Sequence, residues 1–506
     1  MGRVTLRGIT IGVVGMLGLA GLACGSEPAV QPASASENER ASETSPPASE
    51  VDLEALAKQI VTWLDAGDSA KVREHFDEAM NAALPSDLAV AATWSAIETQ
   101  FGQLEQQLGT TLQDQAPYTI VLVTCKFASA PMDVRLVFDA SRRLAGIQVT
   151  ATQNPEAYGE RPQTPKPPFP YTQREVRYPN VAGGIEIGGT LTLPEGAGPH
   201  PAVLLITGSG SQDRDETLFG HKPFWVIADH LSRRGIAVLR VDDRGVGQTT
   251  GDPMVATVED HIGDVEAGVA FLREQPEIDP RRIGLIGHSE GGLIASVVAA
   301  KPGPEGASEV AFVVSLAGPA ISGAELNPIQ VRALLEATSA PQSIVDEIVA
   351  GQEQLMKLLL ADAPDDQLLE AIKALATVAV ELTPGADPDD LDAKKAAAMQ
   401  LAVLLSPWFR SWAKLDPGPY LAKIDVPILI MIGERDLQVP ASVNLARAKA
   451  ALASNPAAQT MAMPGLNHLF QTAKTGTVEE YATLGETFSP TALDAMTQWL
   501  LAQTTI

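Results

Sequence analysis

The stretch IGLIGHSEGGLIASVVA, residues 283–299, decides how this chain folds. Ile283, Leu285 and Ile286 form an apolar run that leads into Gly287-His288-Ser289-Glu290-Gly291, and a helical apolar pattern follows at once. That order predicts a strand, a sharp turn and a helix, with Ser289 at the apex. Glycines on either side are what such a turn needs, because a Cβ there would meet the neighbouring strand or helix. The following helix would offer free N–H groups and a positive dipole end beside the hydroxyl. A chain of this size shows G-x-S-x-G by accident roughly one time in six, so the surrounding pattern has to carry the reading.

Working outward, strands alternate with helices from Tyr171 onward. Ala202–Thr207, Ile236–Val241, Arg282–Gly287, Val310–Leu316, Val426–Gly433 and Gln459–Met463 read as strands. The segments between several of them, such as Phe224–Arg234 and Asp260–Glu274, read as helices. This predicts a mostly parallel sheet covered by helices on both faces. Between about 319 and 414 the alternation stops, and Ala, Leu, Glu and Lys recur at helical spacing broken by Pro341, Pro364, Pro384 and Pro388. That is an all-helical insertion of four or five helices, placed to cover the catalytic end of the sheet as a cap.

Active groups on open α/β sheets sit at the carboxyl ends of strands. Asp436 follows the strand ending at Gly433, with Glu434 as runner-up acid, and His468 follows the last strand. Of the seven histidines, His200, His221, His230 and His261 precede the serine, and His288 lies inside the turn, where it would fix the turn rather than act as base. In these roles His468 takes the proton of Ser289 and Asp436 orients the imidazole. The oxyanion would meet the backbone N–H of Glu290 and that of Ser209, in the loop Gly208-Ser209-Gly210-Ser211-Gln212-Asp213-Arg214-Asp215. Asp242 and Arg244, in Asp242-Asp243-Arg244-Gly245-Val246-Gly247, are read as loop braces.

The order serine, acid, histidine, together with the Asp-x-Arg-Gly turn and the Gly-Ser-Gly-Ser-Gln-Asp-Arg-Asp-Glu run, resembles the α/β-hydrolase superfamily. Within it the chain is most similar to bacterial carboxylesterases and serine aminopeptidases with a helical cap. The resemblance covers roughly Tyr171 to Ile506, about two thirds of the chain, with the hydrolase domain itself placed at residues 173–506. It implies a serine hydrolase cleaving carboxylic esters of modest size through an acyl-enzyme on Ser289, with no cofactor and no metal. A peptidase, amidase or thioesterase of the same fold is the enzymatic alternative. A non-catalytic, envelope-tethered binding protein is the alternative of another class.

The rest of the chain reads in four segments. Residues 1–24 carry Arg3 and Arg7, an apolar run from Ile9 to Ala23 too short to span a bilayer comfortably, and Cys24. They resemble a lipoprotein signal with Cys24 as the lipidated residue, although Gly21 stands where a large aliphatic residue is usual. Export with a lipid anchor and plain secretion stay open. Residues 25–50, rich in Ser, Ala, Pro and Glu, read as a disordered tether. Residues 51–152 show helical spacing (Leu53, Leu56, Ile60, Val61, Leu64), a helix over Asp87–Leu108, then three strands at Tyr118–Phe127, Met132–Phe138 and Leu144–Thr150. This small α+β unit resembles the cone-shaped nuclear-transport-factor-like domain in its Leu64-Asp65-Ala66-Gly67-Asp68 run. His75 and Asp77 are read there as exposed helix residues. Residues 153–172 hold five prolines between Pro162 and Pro170 and read as a stiff linker.

The net charge of −26, from 62 acidic and 36 basic residues, argues against nucleic-acid binding, which needs a basic face, and against adhesion to anionic lipid. A membrane contact would then come only through the N-terminal anchor. With two cysteines in all, one of them Cys24, an exported chain would take its stability from core packing, and Cys125 is expected to be a buried, inert thiol.

Overall fold

The computed structural model describes residues 52–115, 118–128, 130–152, 154–159, 161–303, 308–338, 340–381 and 402–504. The signal-like segment with Cys24, the tether and the stretch 382–401 of the cap lie outside the described residues. The chain divides into two units, with the boundary between residues 160 and 161.

In the N-terminal unit, helix Leu53–Asp65 is capped by Asp52, whose carboxylate accepts the N–H groups of Glu54 and Ala55. Ala57, Ile60, Val61 and Leu64 form its buried stripe. Four antiparallel strands follow in sequence order: β1 (Leu104–Gln115), β2 (Tyr118–Phe127), β3 (Pro131–Phe138) and β4 (Leu144–Ala151). The first of these corrects the sequence reading, which carried the preceding helix to Leu108. That helix stops at Phe101, where Gly102 takes a positive φ of 82°. Leu104, Leu108 and Leu112 recur every four residues, an even spacing that suits a strand as well as a helix. His75 and Asp77 are also corrected. Both lie between helices and half-buried: His75 stacks on Trp63 at 5.5 Å, and Asp77 caps the next helix by accepting the Met80 N–H. Cys125 is a free buried thiol, pushed up to about 12 by burial.

The second unit is built on eight strands: β5 (Tyr171–Asn180), β6 (Ile185–Pro194), β7 (His200–Ile206), β8 (Ala237–Val241), β9 (Ile278–His288), β10 (Phe312–Leu316), β11 (Ile428–Gly433) and β12 (Ala458–Met463). Their spatial order is β12-β11-β10-β9-β7-β8-β6-β5. From β12 to β8 the pairings are parallel; β6 and β5 close the edge antiparallel. Alternation sends Ala202, Leu204, Ile206, Ile428, Ile430 and Ile432 into one core and Val203, Leu205, Leu429 and Met431 into the other. Helices Val258–Arg273 and Glu290–Ala300 cover the first face, and Pro223–Ser232 and Pro490–Thr504 the second.

The chain leaves β7 toward β8 on one side, then returns to lay β9 on the other. That reversal is a topological switch point, and the loops after β7 and β9 part there to leave a crevice. Over the first face lie helices Gly323–Ala337, Gln342–Leu360, Asp365–Glu381 and Pro407–Lys414, whose Val331, Leu335, Val345, Leu355, Leu375 and Phe409 extend the same core. The proline-rich stretch does not act as a free spacer throughout. Arg161 donates to the carbonyls of Phe219, Ala482 and Leu484, and Gln163 pairs with the backbone of Thr487 and Phe488. β5 opens at Tyr171, two residues inside the segment read as linker.

Candidate active site

β9 ends at His288 and the next helix begins at Glu290, so Ser289 stands alone between them at φ 52° and ψ −119°. A non-glycine residue there carries strain of about 1–3 kcal/mol, kept only when its surroundings leave no alternative. Those surroundings are tight. The Ser289 N–H donates to the carbonyl of Leu316 at 2.8 Å. A Cβ on Gly287 would come within 2.0 Å of the Gly291 carbonyl oxygen, and one on Gly291 within 2.2 Å of that of Ile206. Backbone on both sides cannot yield as a side chain could. Gly291→Ala is therefore expected to destabilise the unit by about 3 kcal/mol, read as a lowered thermal midpoint; an unchanged midpoint would show that the elbow relaxes freely.

Asp436 follows β11 and His468 follows β12, and the two meet: His468 Nδ1 lies 2.8 Å from Asp436 Oδ2, both side chains buried. The other oxygen, Oδ1, accepts the N–H groups of Gln438 and Val439 at 2.8 and 2.7 Å. Asp436 therefore shapes its own loop and orients the imidazole at once. Glu434, the runner-up, is exposed. Ser289 and His468 line one cavity of about 30 Å³ together with Ser209, Glu290, Leu326, Gln330 and Trp412. No hydrogen bond joins Ser289 Oγ to His468 among the described contacts; such bonds are often long before substrate arrives. The cavity has room for one or two waters, and the cap residues Leu326, Gln330 and Trp412 form part of its wall.

The loop after β7 is held from several sides. Gly208 N–H donates to Glu216 Oε1 at 2.7 Å, and Gln212 N–H to Asp243 Oδ2 at 2.9 Å. Asp242 takes the guanidinium and N–H of Arg214, and Arg244 pairs with Asp264. Asp242 and Arg244 thus sit as loop braces, as their sequence context implied. Burial pushes the Asp243 carboxyl up to about 7. Among the described residues the N–H groups of Ser209 and Glu290 have no acceptor. That of Glu290 opens a helix, where the first N–H groups have no intrahelical partner.

Two contacts had no signal in the sequence. Trp408, from the cap, donates its indole N–H to the buried carboxylate of Glu290 at 2.9 Å, and His261 Nδ1 lies 3.5 Å from the same group. Glu290 thereby ties the turn to the cap through its side chain. Glu216, at the end of the polar loop run, meets His288 as well as Gly208. Only its place in that loop pointed to it.

A family model described as alpha/beta hydrolase family matches residues 203–480, more than half of the chain, and the chain belongs to that family. The sheet, its covering helices and the helical insertion are the α/β-hydrolase fold, preceded by a separate small unit with an antiparallel sheet. Residues 57–147 of that unit match a family described as a protein of unknown function, DUF3887. Among characterised relatives, the chain is 26% identical over 383 residues to esterase EstD of Thermotoga maritima, covering 72% of this chain and 77% of that one. It is 35% identical over 125 residues to thiohydrolase aneE of Aspergillus aculeatus, covering 24% of this chain and 36% of that one. The solved structure of an esterase from Pyrococcus furiosus is 16% identical, covers 66% of this chain and 92% of its own, and has a TM-score of 0.39.

Proposed function

We propose that this protein is a serine hydrolase of carboxylic esters, acting through an acyl-enzyme on Ser289. The observation that carries the reading is the convergence of Ser289, His468 and Asp436 at the carboxyl ends of β9, β12 and β11, with His468 already bonded to Asp436. His468 Nε2 takes the Ser289 proton as Oγ attacks the ester carbonyl carbon. Asp436 holds the ring and stabilises its cation. The N–H groups of Ser209 and Glu290 receive the oxyanion. Collapse expels the alcohol, protonated by His468, and water then repeats the sequence on the acyl-enzyme. The relation to an esterase over 72% of the chain supports esters as the substrate class. Thioesters are the second reading, favoured by the local likeness to a thiohydrolase.

The test is labelling of the purified protein with a fluorophosphonate, read by peptide mass spectrometry. The expected adduct lies on the peptide carrying Ser289. An adduct elsewhere, or none on folded protein, overturns the assignment. A matched panel of an oxygen ester, its thioester and its amide then ranks the substrate classes. For location we infer export with a lipid anchor on Cys24. Metabolic labelling with an alkyne fatty acid tests it, and label that persists in Cys24→Ser would contradict it.

A further inference from the structure

His288 is enclosed by acceptors. Its Nδ1 lies 2.9 Å from Glu216 Oε1 and its Nε2 3.0 Å from the carbonyl oxygen of His468. A carbonyl oxygen can only accept, so Nε2 must carry a proton. Glu216 Oε1 already accepts the Gly208 N–H at 2.7 Å. A neutral imidazole has one N–H and would turn a lone pair toward that carboxylate, whereas an imidazolium satisfies both contacts. The pair is dry: His288 and Glu216 are 4% and 2% exposed. A buried charge has to be paired, and here each group pairs the other. Glu216 holds this position at a φ of 52°, which a β-carbon residue adopts only under tight constraint. A Cβ on Gly208 would lie 3.3 Å from both Glu216 Oε1 and Ser289 Cβ, so three elements meet at this point.

We propose that Glu216 and His288 form a buried carboxylate–imidazolium pair that positions the oxyanion loop and the base loop together. Glu216 grips the loop through Gly208, one residue before Ser209. His288 grips the carbonyl of His468 itself. The inference rests on the reading of Ser209 and His468 given above. The groups facing His288 are Glu216, His468 and, beyond His468, Asp436. Burial, the largest single influence, lowers the pKa of His288, but the Glu216 carboxylate, the His468 carbonyl and Asp436 together outweigh it and the net direction is upward. The ring of His288 lies 4.8 Å from that of His468, and Glu216 is bonded to its far nitrogen. The positive end of the pair therefore faces the base.

The experiment uses the full chain labelled with [15N]histidine. Long-range proton–nitrogen spectra between pH 6 and 9 are expected to show His288 with both ring nitrogens protonated at pH 8, its signal assigned by its loss in His288→Gln. In Glu216→Gln, which keeps an acceptor oxygen but not the charge, that signal becomes a neutral imidazole. With a p-nitrophenyl ester, kcat in this variant falls by about tenfold to a hundredfold while KM stays within about threefold. The loss falls on kcat rather than KM and comes together with the loss of the doubly protonated signal, a pairing that a merely structural loss would not produce. If His288 is not doubly protonated at pH 8, or if Glu216→Gln leaves kcat unchanged, the proposal falls. Should Glu216→Gln fail to fold, the wild-type spectrum still decides. Fluorophosphonate labelling of the same wild-type sample separates the two ideas: an unlabelled Ser289 sinks the hydrolase reading, while the spectrum reports on the ion pair alone.

Discussion

Replacing Ser289 with alanine is expected to lower ester turnover by about five to six orders of magnitude, the scale on which nucleophile loss acts in serine hydrolases. Alanine leaves His468 on Asp436 and the N–H groups of Ser209 and Glu290 in place, but nothing remains to carry the acyl group. What persists is the catalysis of polarising donors and binding alone. The fold should hold, because Ser289 Oγ has no hydrogen bond among the described contacts and its backbone N–H still donates to Leu316. Initial rates with a p-nitrophenyl ester, beside a thermal melt, check both halves. Turnover within a hundredfold of wild type on a folded variant would place the nucleophile elsewhere.

The sequence revealed most of the hydrolase unit because its signals are local and mutually consistent. A short apolar run rich in β-branched residues and followed by glycine reads as a buried strand, and β7, β10, β11 and the second half of β9 have that form. The elbow was legible for a sharper reason: Gly287 and Gly291 stand where a Cβ would strike backbone within 2.2 Å. β1 was not legible, since its leucines satisfy both periods and the helix before it ends at a glycine inside a continuous polar–apolar mixture. Asp436 and His468 could be placed at strand ends, and their contact follows from parallel pairing of β11 with β12. The grip of Glu216 on His288 joins residues 72 apart, and that of Trp408 on Glu290 joins residues 118 apart. Glu216 was marked only by its place at the end of the polar loop run, and no periodicity or motif marked Trp408. Such pairings arise from how the loop after β7 and the cap fold back over the elbow, and only the folded chain shows them.

Asp436→Asn should cost about ten-thousandfold in kcat, for a reason this loop makes specific. Oδ1 of Asp436 is held by two backbone donors, Gln438 N–H at 2.8 Å and Val439 N–H at 2.7 Å. An asparagine keeps those bonds only by placing its carbonyl oxygen there, which forces its NH2 group toward His468 Nδ1. That nitrogen then has to accept, the ring proton moves to Nε2, and Nε2 can no longer take the proton of Ser289. The alternative orientation would set the NH2 group against two N–H donors and lose both loop bonds. The variant therefore keeps its fold and its cavity while its base is locked in the wrong tautomer. KM should change little, since the substrate contacts stay in place. Glu434→Gln is the matched control: its carboxylate is exposed, and its rate should stay within about twofold of wild type, as surface changes usually do. Rates from the two variants, measured with one p-nitrophenyl ester, decide which acid serves His468. A large loss in Glu434→Gln with little in Asp436→Asn would reverse the assignment.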